Sequence, residues 1–240
     1  EKFKVDTNGE VTAGAATFAA DATINGITVG RGGGNVSTNI AFGVGAGSTT
    51  STGGNTIAIG QNALYKHTSG NDNIAIGYHA LYDVEDGDYN IAIGRRAAGY
   101  VTGNYNTALG TGSLYSGDDI NKNVGVGYEA GYNLTGDKNV ALGFQAGYYV
   151  TGSNNTILGA WKENESFSDT VLISAGETER LRISSNGALG IAGANYGTNG
   201  QVLTSTGANS APAWEDAAGG GGGGALDGLS DVTITQVQTD

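Results

Sequence analysis

The chain has 240 residues with 44 Gly, one Pro, no Cys and no Met, and its formal net charge is −12. Without Cys it has no disulfide framework and no thiolate metal ligand or nucleophile. No stretch reaches the roughly 18 consecutive apolar residues of a membrane helix. An acidic chain is repelled by phosphate backbones and anionic lipid, so we expect no nucleic-acid binding and no membrane insertion.

Residues 1–34 are predicted to form an N-terminal β and linker segment. Residues 1–5 and 22–29 are short strand-like pieces. The first residue is Glu1, with no Met and no apolar signal region before the first strand-like piece, which is typical of a fragment. Residues 30–34 read Gly-Arg-Gly-Gly-Gly and lack the Lys-Ser/Thr of a phosphate-binding loop, so they indicate a linker.

Residues 35–160 carry an internal repeat whose commonest form is Asn-Ile-Ala-Ile-Gly. Three residues after its closing Gly stands Ala or Ser, and five or six residues after it stands Tyr in most copies. Another Gly precedes the closing Gly by seven residues in six copies. The eight copies close at Gly43, Gly60, Gly77, Gly94, Gly110, Gly127, Gly143 and Gly159, which are 16 or 17 residues apart.

The repeat predicts a parallel β-solenoid, or β-roll, of about eight coils. The recurring segments are too short for helices, and Ile-Ala-Ile alternates with the period of two that a strand has. A Gly at a fixed position marks a tight turn. One short unit cannot bury its own apolar face, whereas stacked copies can. At about 4.8 Å per coil, eight coils give a rod of roughly 38 Å.

Two positions of the unit carry further predictions. Ile74 and Ile76 share one face of their strand, and Ala75 takes the other. Because a merely solvated face would tolerate larger polar residues, the repeated Ala predicts close packing, and we expect another chain of a bundle against it. The Asn before each strand is predicted to bond turn backbone and to form a stacked ladder.

The chain after the repeats is predicted to hold short β modules. Trp161 is a candidate end cap, and residues 161–192 form a connector in which Asn186-Gly187, between Ile183 and Leu189, marks a hairpin. Residues 193–218 read as a small β module. Residues 219–240 read as a Gly linker with six consecutive glycines and the start of a further element.

The Asn-x-Ala-Ile-Gly-x-x-Ala unit resembles the head repeat of trimeric autotransporter adhesins. The longer form in this chain, with Ala-Leu-Tyr or Ala-Gly-Tyr and a Thr-Gly loop, is more similar to repeats in tail-fibre proteins of tailed bacteriophages. Residues 177–191, and residues 200–207 with 211–214, also resemble phage-fibre modules. The resemblance implies an elongated homotrimeric fibre, although each coil is two or three residues longer than in the adhesins.

Acidic and histidine side chains in the loops offer chemical alternatives to a purely structural role. Paired loop acids in a groove would suit a tailspike-like glycan hydrolase or a Ca²⁺ site, but the spacing of a known calcium loop is missing. One hexapeptide-like unit at residues 76–80 is too sparse for an acyltransferase of the left-handed β-helix type. His67 and His79 are interpreted as exposed loop residues. The loop acids are Asp83, Glu85, Asp86, Asp88, Asp118 and Asp119.

The sequence therefore favours a non-enzymatic fibre with no catalytic, cofactor-binding or metal-binding residues. We expect a virion tail fibre, outside the cell, whose partners are two further copies, other tail proteins and a host-surface glycan or protein. The receptor-binding residues are not identified. The head of a bacterial trimeric adhesin is the first alternative, and the hydrolase is the second. The Tyr column at positions 65, 82, 115, 132 and 148 is predicted to stack for packing rather than to bind sugars.

Overall fold

The computed structural model describes residues 4–5, 11–12, 21–47, 51–207 and 210–217. Within these ranges the chain forms 19 β-strands and no helix, which confirms the all-β prediction. The strands are β1 (Lys4–Val5), β2 (Val11–Thr12), β3 (Ala22–Ile24), β4 (Ile27–Gly30), β5 (Ile40–Gly43), β6 (Ile57–Ile59), β7 (Ile74–Ile76), β8 (Ile91–Ile93), β9 (Tyr100–Val101), β10 (Thr107–Leu109), β11 (Ser116–Gly117), β12 (Val124–Val126), β13 (Val140–Leu142), β14 (Thr156–Leu158), β15 (Val171–Ala175), β16 (Thr178–Ile183), β17 (Leu189–Ile191), β18 (Gln201–Thr204) and β19 (Ala213–Asp216).

One sheet of 13 strands organises the described chain. Its central strands, from β5 to β15 without β9 and β11, are parallel and follow one another in chain order. They pair in register, so that Ile74 lies between Ile57 and Ile91. Each repeat contributes one strand to this sheet, and β9 and β11 pair separately as a two-stranded parallel sheet. The prediction of a parallel β-solenoid with about eight coils of 16–17 residues is confirmed.

Antiparallel hairpins continue this sheet at both ends. At the first coil, β4 pairs with β5 and, across the Asn25-Gly26 turn, with β3. At the last coil, β16 and β17 continue antiparallel from β15. The predicted Asn186-Gly187 hairpin is confirmed, with Ile183 opposite Leu189. The two edges of the parallel stack are thereby paired rather than open to another strand.

The flanking segments differ in how much of them the structure describes. Residues 30–34, interpreted as a linker, pack against the first coil, where the Gly33 N–H donates to the Gly47 carbonyl at 2.7 Å. Strands β18 and β19 form a separate antiparallel pair. The predicted Gly linker at residues 219–224 and the element after it lie outside the described residues.

The closing Gly of each repeat allows neighbouring coils to approach closely. Gly77 has a φ of +137°, and a Cβ on it would lie 2.4 Å from the carbonyl oxygen of Gly94. Gly94 is held in the same way against Gly110, at 2.5 Å. Only a residue without a side chain satisfies both the positive φ and the contact, so the predicted tight turn is confirmed.

A ladder of buried asparagines joins the coils. Asn90 Nδ2 donates to the carbonyl of Gly103 at 2.9 Å, and Asn90 Oδ1 accepts from the backbone N–H of Asn106 at 2.9 Å. Each Asn thus satisfies two backbone groups of the following coil, which would otherwise be buried without partners. The predicted ladder is confirmed, and the same pattern recurs at Asn73, Asn106, Asn123, Asn139 and Asn155.

The interior of the coils is narrow beside the strands, where small residues fill it, and larger residues such as Leu81 fill the rest. Ala75 and Ala92, at the strand centres, are fully buried, as are Ala63 and Ala80 from the position after the closing Gly. The expectation that another chain packs on the strand alanines is therefore wrong. The close neighbour that excludes larger side chains is the opposite wall of the same coil.

Where a strand centre is not Ala, the residue packed against it from the opposite wall of the coil differs in size as well. Ile157 replaces Ala at a strand centre, and a Cβ on Gly147 would lie 2.9 Å from its Cδ1. Conversely, Gly125 replaces Ala where Ser113 stands in the opposite wall, and the Ser113 hydroxyl donates to the Gly125 carbonyl at 2.7 Å. At these two places a larger residue in one wall therefore packs against a smaller one in the other.

Substituting Gly125→Ala tests this packing, although it restores the commonest repeat residue. The new Cβ would lie 2.6 Å from Ser113 Oγ and 2.9 Å from the carbonyl oxygen of Ala130. We expect a loss of about 1–3 kcal/mol in unfolding free energy, measured by urea denaturation. In the double variant S113A/G125A part of this loss should return, because an Ala pair fills the equivalent place in other coils. An unchanged stability in G125A would contradict the packing account.

Candidate functional site

The outer face of the repeat strands presents a continuous apolar surface, here called the outer apolar stripe. The side chains on either side of each strand alanine point away from the coil interior and are half-buried or exposed. For example, Ile40 is 52% exposed, Phe42 50% and Ile93 42%. No charged residue occurs in the stripe. Its members are Ile40, Phe42, Ile57, Ile59, Ile74, Ile76, Ile91, Ile93, Thr107, Leu109, Val124, Val126, Val140, Leu142, Thr156 and Leu158.

A row of aliphatic side chains that is partly exposed on every coil is a candidate interaction surface, because contiguous exposed apolar patches mark such surfaces on soluble proteins. The stripe repeats once per coil, because its strands pair in register. A partner that covers it along its whole length needs a matching period.

The predicted Tyr column exists and packs as a stack. Tyr65 and Tyr82 have ring centroids 5.3 Å apart and an interplanar angle of 4°. Tyr132 stacks on Tyr148 at 4.8 Å, and Tyr132 on Tyr115 at 4.7 Å. Burial and the nearby carboxylate of Glu129 raise the pKa of Tyr148 to about 12, so its phenol stays neutral. The predicted stacking of these rings is confirmed, and the rings lie at the surface of the coil.

Two further aromatic contacts were not predicted from the sequence. Tyr128 stacks on Phe144 at 5.4 Å, and both rings follow a closing Gly directly. Tyr89 stacks on Tyr105 at 4.9 Å, immediately before the ladder asparagines. In each case the same repeat position is aromatic in two neighbouring coils, and this spacing is the signal that reveals the stack.

The loop acids bond to neighbouring coils instead of converging on one pocket. The hydroxyls of Ser69 and Thr68 donate to Asp86, each at 2.6 Å, and hold the pKa of that carboxyl below its ordinary value. Asp83 pairs with Lys66 at 2.8 Å. Two further acids of the cluster also contact another coil: Asp88 accepts from the Asn71 backbone, and the Glu85 carbonyl accepts from the Thr68 backbone. Asp118 and Asp119 are exposed on another coil.

The histidine prediction is wrong for His67. The side chain of His67 is 2% exposed, and its Nδ1 lies 2.9 Å from Ser51 Oγ. It occupies the interior position that Val84 and Val101 fill in later coils, so it is a core residue of the solenoid. His79 is half-buried at the surface, where its Nε2 lies 3.1 Å from Asn62 Nδ2.

The C-terminal end of the core carries an ion-paired network. Arg182 bonds both carboxylate oxygens of Glu179, at 3.0 and 2.6 Å, and a carboxylate oxygen of Glu165 at 2.7 Å. Its guanidinium lies 5.1 Å from the ring centre of Phe167. Trp161 is buried in the same end of the core, as its predicted role as an end cap requires. This network fixes the last coil to the C-terminal hairpin.

Comparisons with protein-family models, curated proteins and solved structures found no match to this chain. Among the described residues, no helix is long and apolar enough to cross a membrane. Within the same ranges, no three His, Cys, Asp or Glu side chains are grouped to hold a metal ion.

The buried His67 predicts a loss of stability in weak acid. Burial lowers the pKa of His67 from its ordinary value of 6.5, so below that pH the unfolded chain binds a proton that the folded chain does not. The unfolding free energy should fall as the pH drops from 7 through 6.5 towards the lowered pKa, by at most about 1.4 kcal/mol per pH unit. Urea denaturation at pH 7, 6 and 5.5 measures this slope.

The variants H67V and H79N identify the source of that slope. Val is the residue at the equivalent interior positions, so H67V should keep the fold and lose most of the slope between pH 7 and 5.5. Surface His79 also has a lowered pKa, from partial burial and from Arg96 and Arg95, but it is less buried, so H79N should remove less. A wild-type slope in H67V would contradict the assignment.

Proposed function

We propose that the chain is a structural and host-attachment fibre segment of a tailed bacteriophage virion. It acts as one of the three chains of a rigid homotrimeric shaft that presents or forms a receptor-binding surface. The observation that carries the proposal is the outer apolar stripe, because its large side chains need a cover along the whole solenoid. The similarity of the repeat unit to phage-fibre repeats supports the class of assembly.

The rigidity of such a shaft follows from the sheet and the ladder. Adjacent coils are joined by backbone hydrogen bonds and by hydrogen bonds of the buried Asn side chains at the same positions. Bending the rod would therefore break several hydrogen bonds at once. A protein–protein interface also removes large aliphatic side chains from water, at about 25 cal/mol per Å² of apolar area. Copies of the same chain match the stripe in period, because they are built on the same coil spacing.

The partners in this proposal are two further copies of the chain, other tail proteins and a glycan or protein of the host surface. The place of action is the virion, outside the cell. The head of a bacterial trimeric adhesin is the second candidate, because the Asn-x-Ala-Ile-Gly-x-x-Ala unit is common to both resemblances. A signal peptide and a membrane anchor in the full gene would identify the adhesin.

Light scattering after size exclusion tests the assembly. The chain mass is 24.1 kDa, and we expect a particle of about 72 kDa, three times that value. The double variant I76E/I93E places charge in the middle of the stripe, and we expect it to shift the mass towards 24.1 kDa with the β-type circular dichroism retained.

The matched control is the double variant T52E/T135E, which adds the same two charges at exposed positions outside the stripe. It should leave the mass at that of the trimer. A wild-type chain that stays at 24.1 kDa at high concentration would overturn the proposed fibre. Trimers that persist unchanged in I76E/I93E would show that the stripe is not the interface.

A further inference from the structure

One coil interrupts the surface columns that follow the closing glycines. Neighbouring coils carry larger side chains in these two positions, but the coil that closes at Gly110 carries Thr111 and Gly112. The two short residues leave a notch between the coils on either side. The first column reads Tyr78, Arg95, Thr111, Tyr128 and Phe144, and the second reads His79, Arg96, Gly112, Glu129 and Gln145.

Six side chains surround this notch. Arg95 and Arg96 form one wall, and Tyr128 and Glu129 form the other. The stacked rings of Tyr115 and Tyr132, 4.7 Å apart, also line it. Its volume, open mouth included, is about 330 Å³, so it is a shallow surface notch rather than a closed cavity.

The absence of a side chain on Gly112 is what keeps the notch open. Gly112 has a φ of +66°, and a Cβ on it would lie 3.2 Å from Glu129 Cγ and 3.4 Å from the ring of Tyr132. The first column is likewise open at Thr111, between the larger side chains of Arg95 and Tyr128. Both interruptions fall on one coil, so they produce a single concave site rather than two unrelated gaps.

The charges around the notch favour an anionic group. Neither Arg95 nor Arg96 forms a salt bridge with another residue of the described ranges, although the chain carries a net charge of −12. Arg95 lies 5.7 Å from the ring centre of Tyr78. On the opposite wall, Glu129 is held by Gln145 Nε2 at 2.6 Å. The notch therefore pairs two adjacent guanidinium groups with a fixed carboxylate and two tyrosines.

We propose that this notch binds a carboxylated sugar residue, such as a hexuronic acid of a surface glycan. Guanidinium groups bind carboxylates through two parallel hydrogen bonds. The tyrosine rings offer flat apolar surface and phenol groups to the pyranose ring. Glu129 accepts a hydrogen bond from a sugar hydroxyl, and this bond together with the ring contacts favours a sugar acid over an inorganic anion. The role of this ligand as a host-surface receptor rests on the proposed attachment function, whereas binding of the sugar to the notch does not depend on that function.

Isothermal titration of the full chain with a galacturonic acid trisaccharide tests the proposal. We expect saturable binding that weakens roughly tenfold or more for the methyl ester of the same trisaccharide, because the ester removes the carboxylate charges and keeps the sugar rings and their hydroxyls. The variant R95Q/R96Q should lose a similar factor. Thr111→Tyr should also abolish binding, because it fills the notch while both arginines remain.

K122Q/K138Q is the matched control, since it removes two exposed cations outside the notch, and it should bind as the wild type does. Circular dichroism and the particle mass of each variant exclude loss of fold or assembly as the cause. Absence of binding by the wild-type chain, equal binding by T111Y, or inorganic phosphate binding as tightly as the acidic sugar would each overturn the proposal. None of these results would affect the mass measurement on which the fibre proposal depends.

Discussion

Each turn of this solenoid depends on the coil beside it for its hydrogen bonds. The buried Asn before each strand uses its side-chain carbonyl and amide to satisfy a backbone N–H and a backbone carbonyl of the next coil. A single coil has no such partner and too little apolar interior to offset the loss of chain entropy. The fold is therefore stable as an array, and the period of 16 or 17 residues is maintained because a changed length would displace these bonds.

The narrow interior has a direct consequence for the surface. With the opposite wall so close, strand centres such as Ala75 and Ala92 are small, and the large aliphatic residues of the strands lie outside. Larger residues outside the strands, such as Leu64 and Leu81, are buried in the core as in other proteins, so the outward-facing large side chains are those of the strands themselves. Association with further copies would bury these side chains, which links the packing of one coil to the proposed function of the whole assembly.

The sequence predicts the coil well because period, turn Gly and buried Asn are local signals. It does not predict which strand face points inward, because alternation separates two faces without stating which is buried, and the repeated Ala alone is equally consistent with a contact to another chain. The buried position of His67 is not evident from that residue alone, although its 17-residue offset from Val84 marks an interior position. Asn25-Gly26 carries the same turn signal as Asn186-Gly187 and divides residues 22–29 into two strands. The notch at Thr111 and Gly112 becomes evident only when the two positions after each closing Gly are compared between neighbouring coils in space.

Hydrogen exchange on the variant Asn106→Ala tests the central claim that the coils depend on one another. The change leaves the Asn123 N–H and the Ile120 carbonyl without their side-chain partner, at about 1–3 kcal/mol for each buried group. We predict faster amide exchange on both neighbouring coils, and wild-type rates in the control Asn133→Ala, whose side chain makes no hydrogen bond within the described residues. Wild-type exchange on both neighbouring coils of Asn106→Ala would contradict the account.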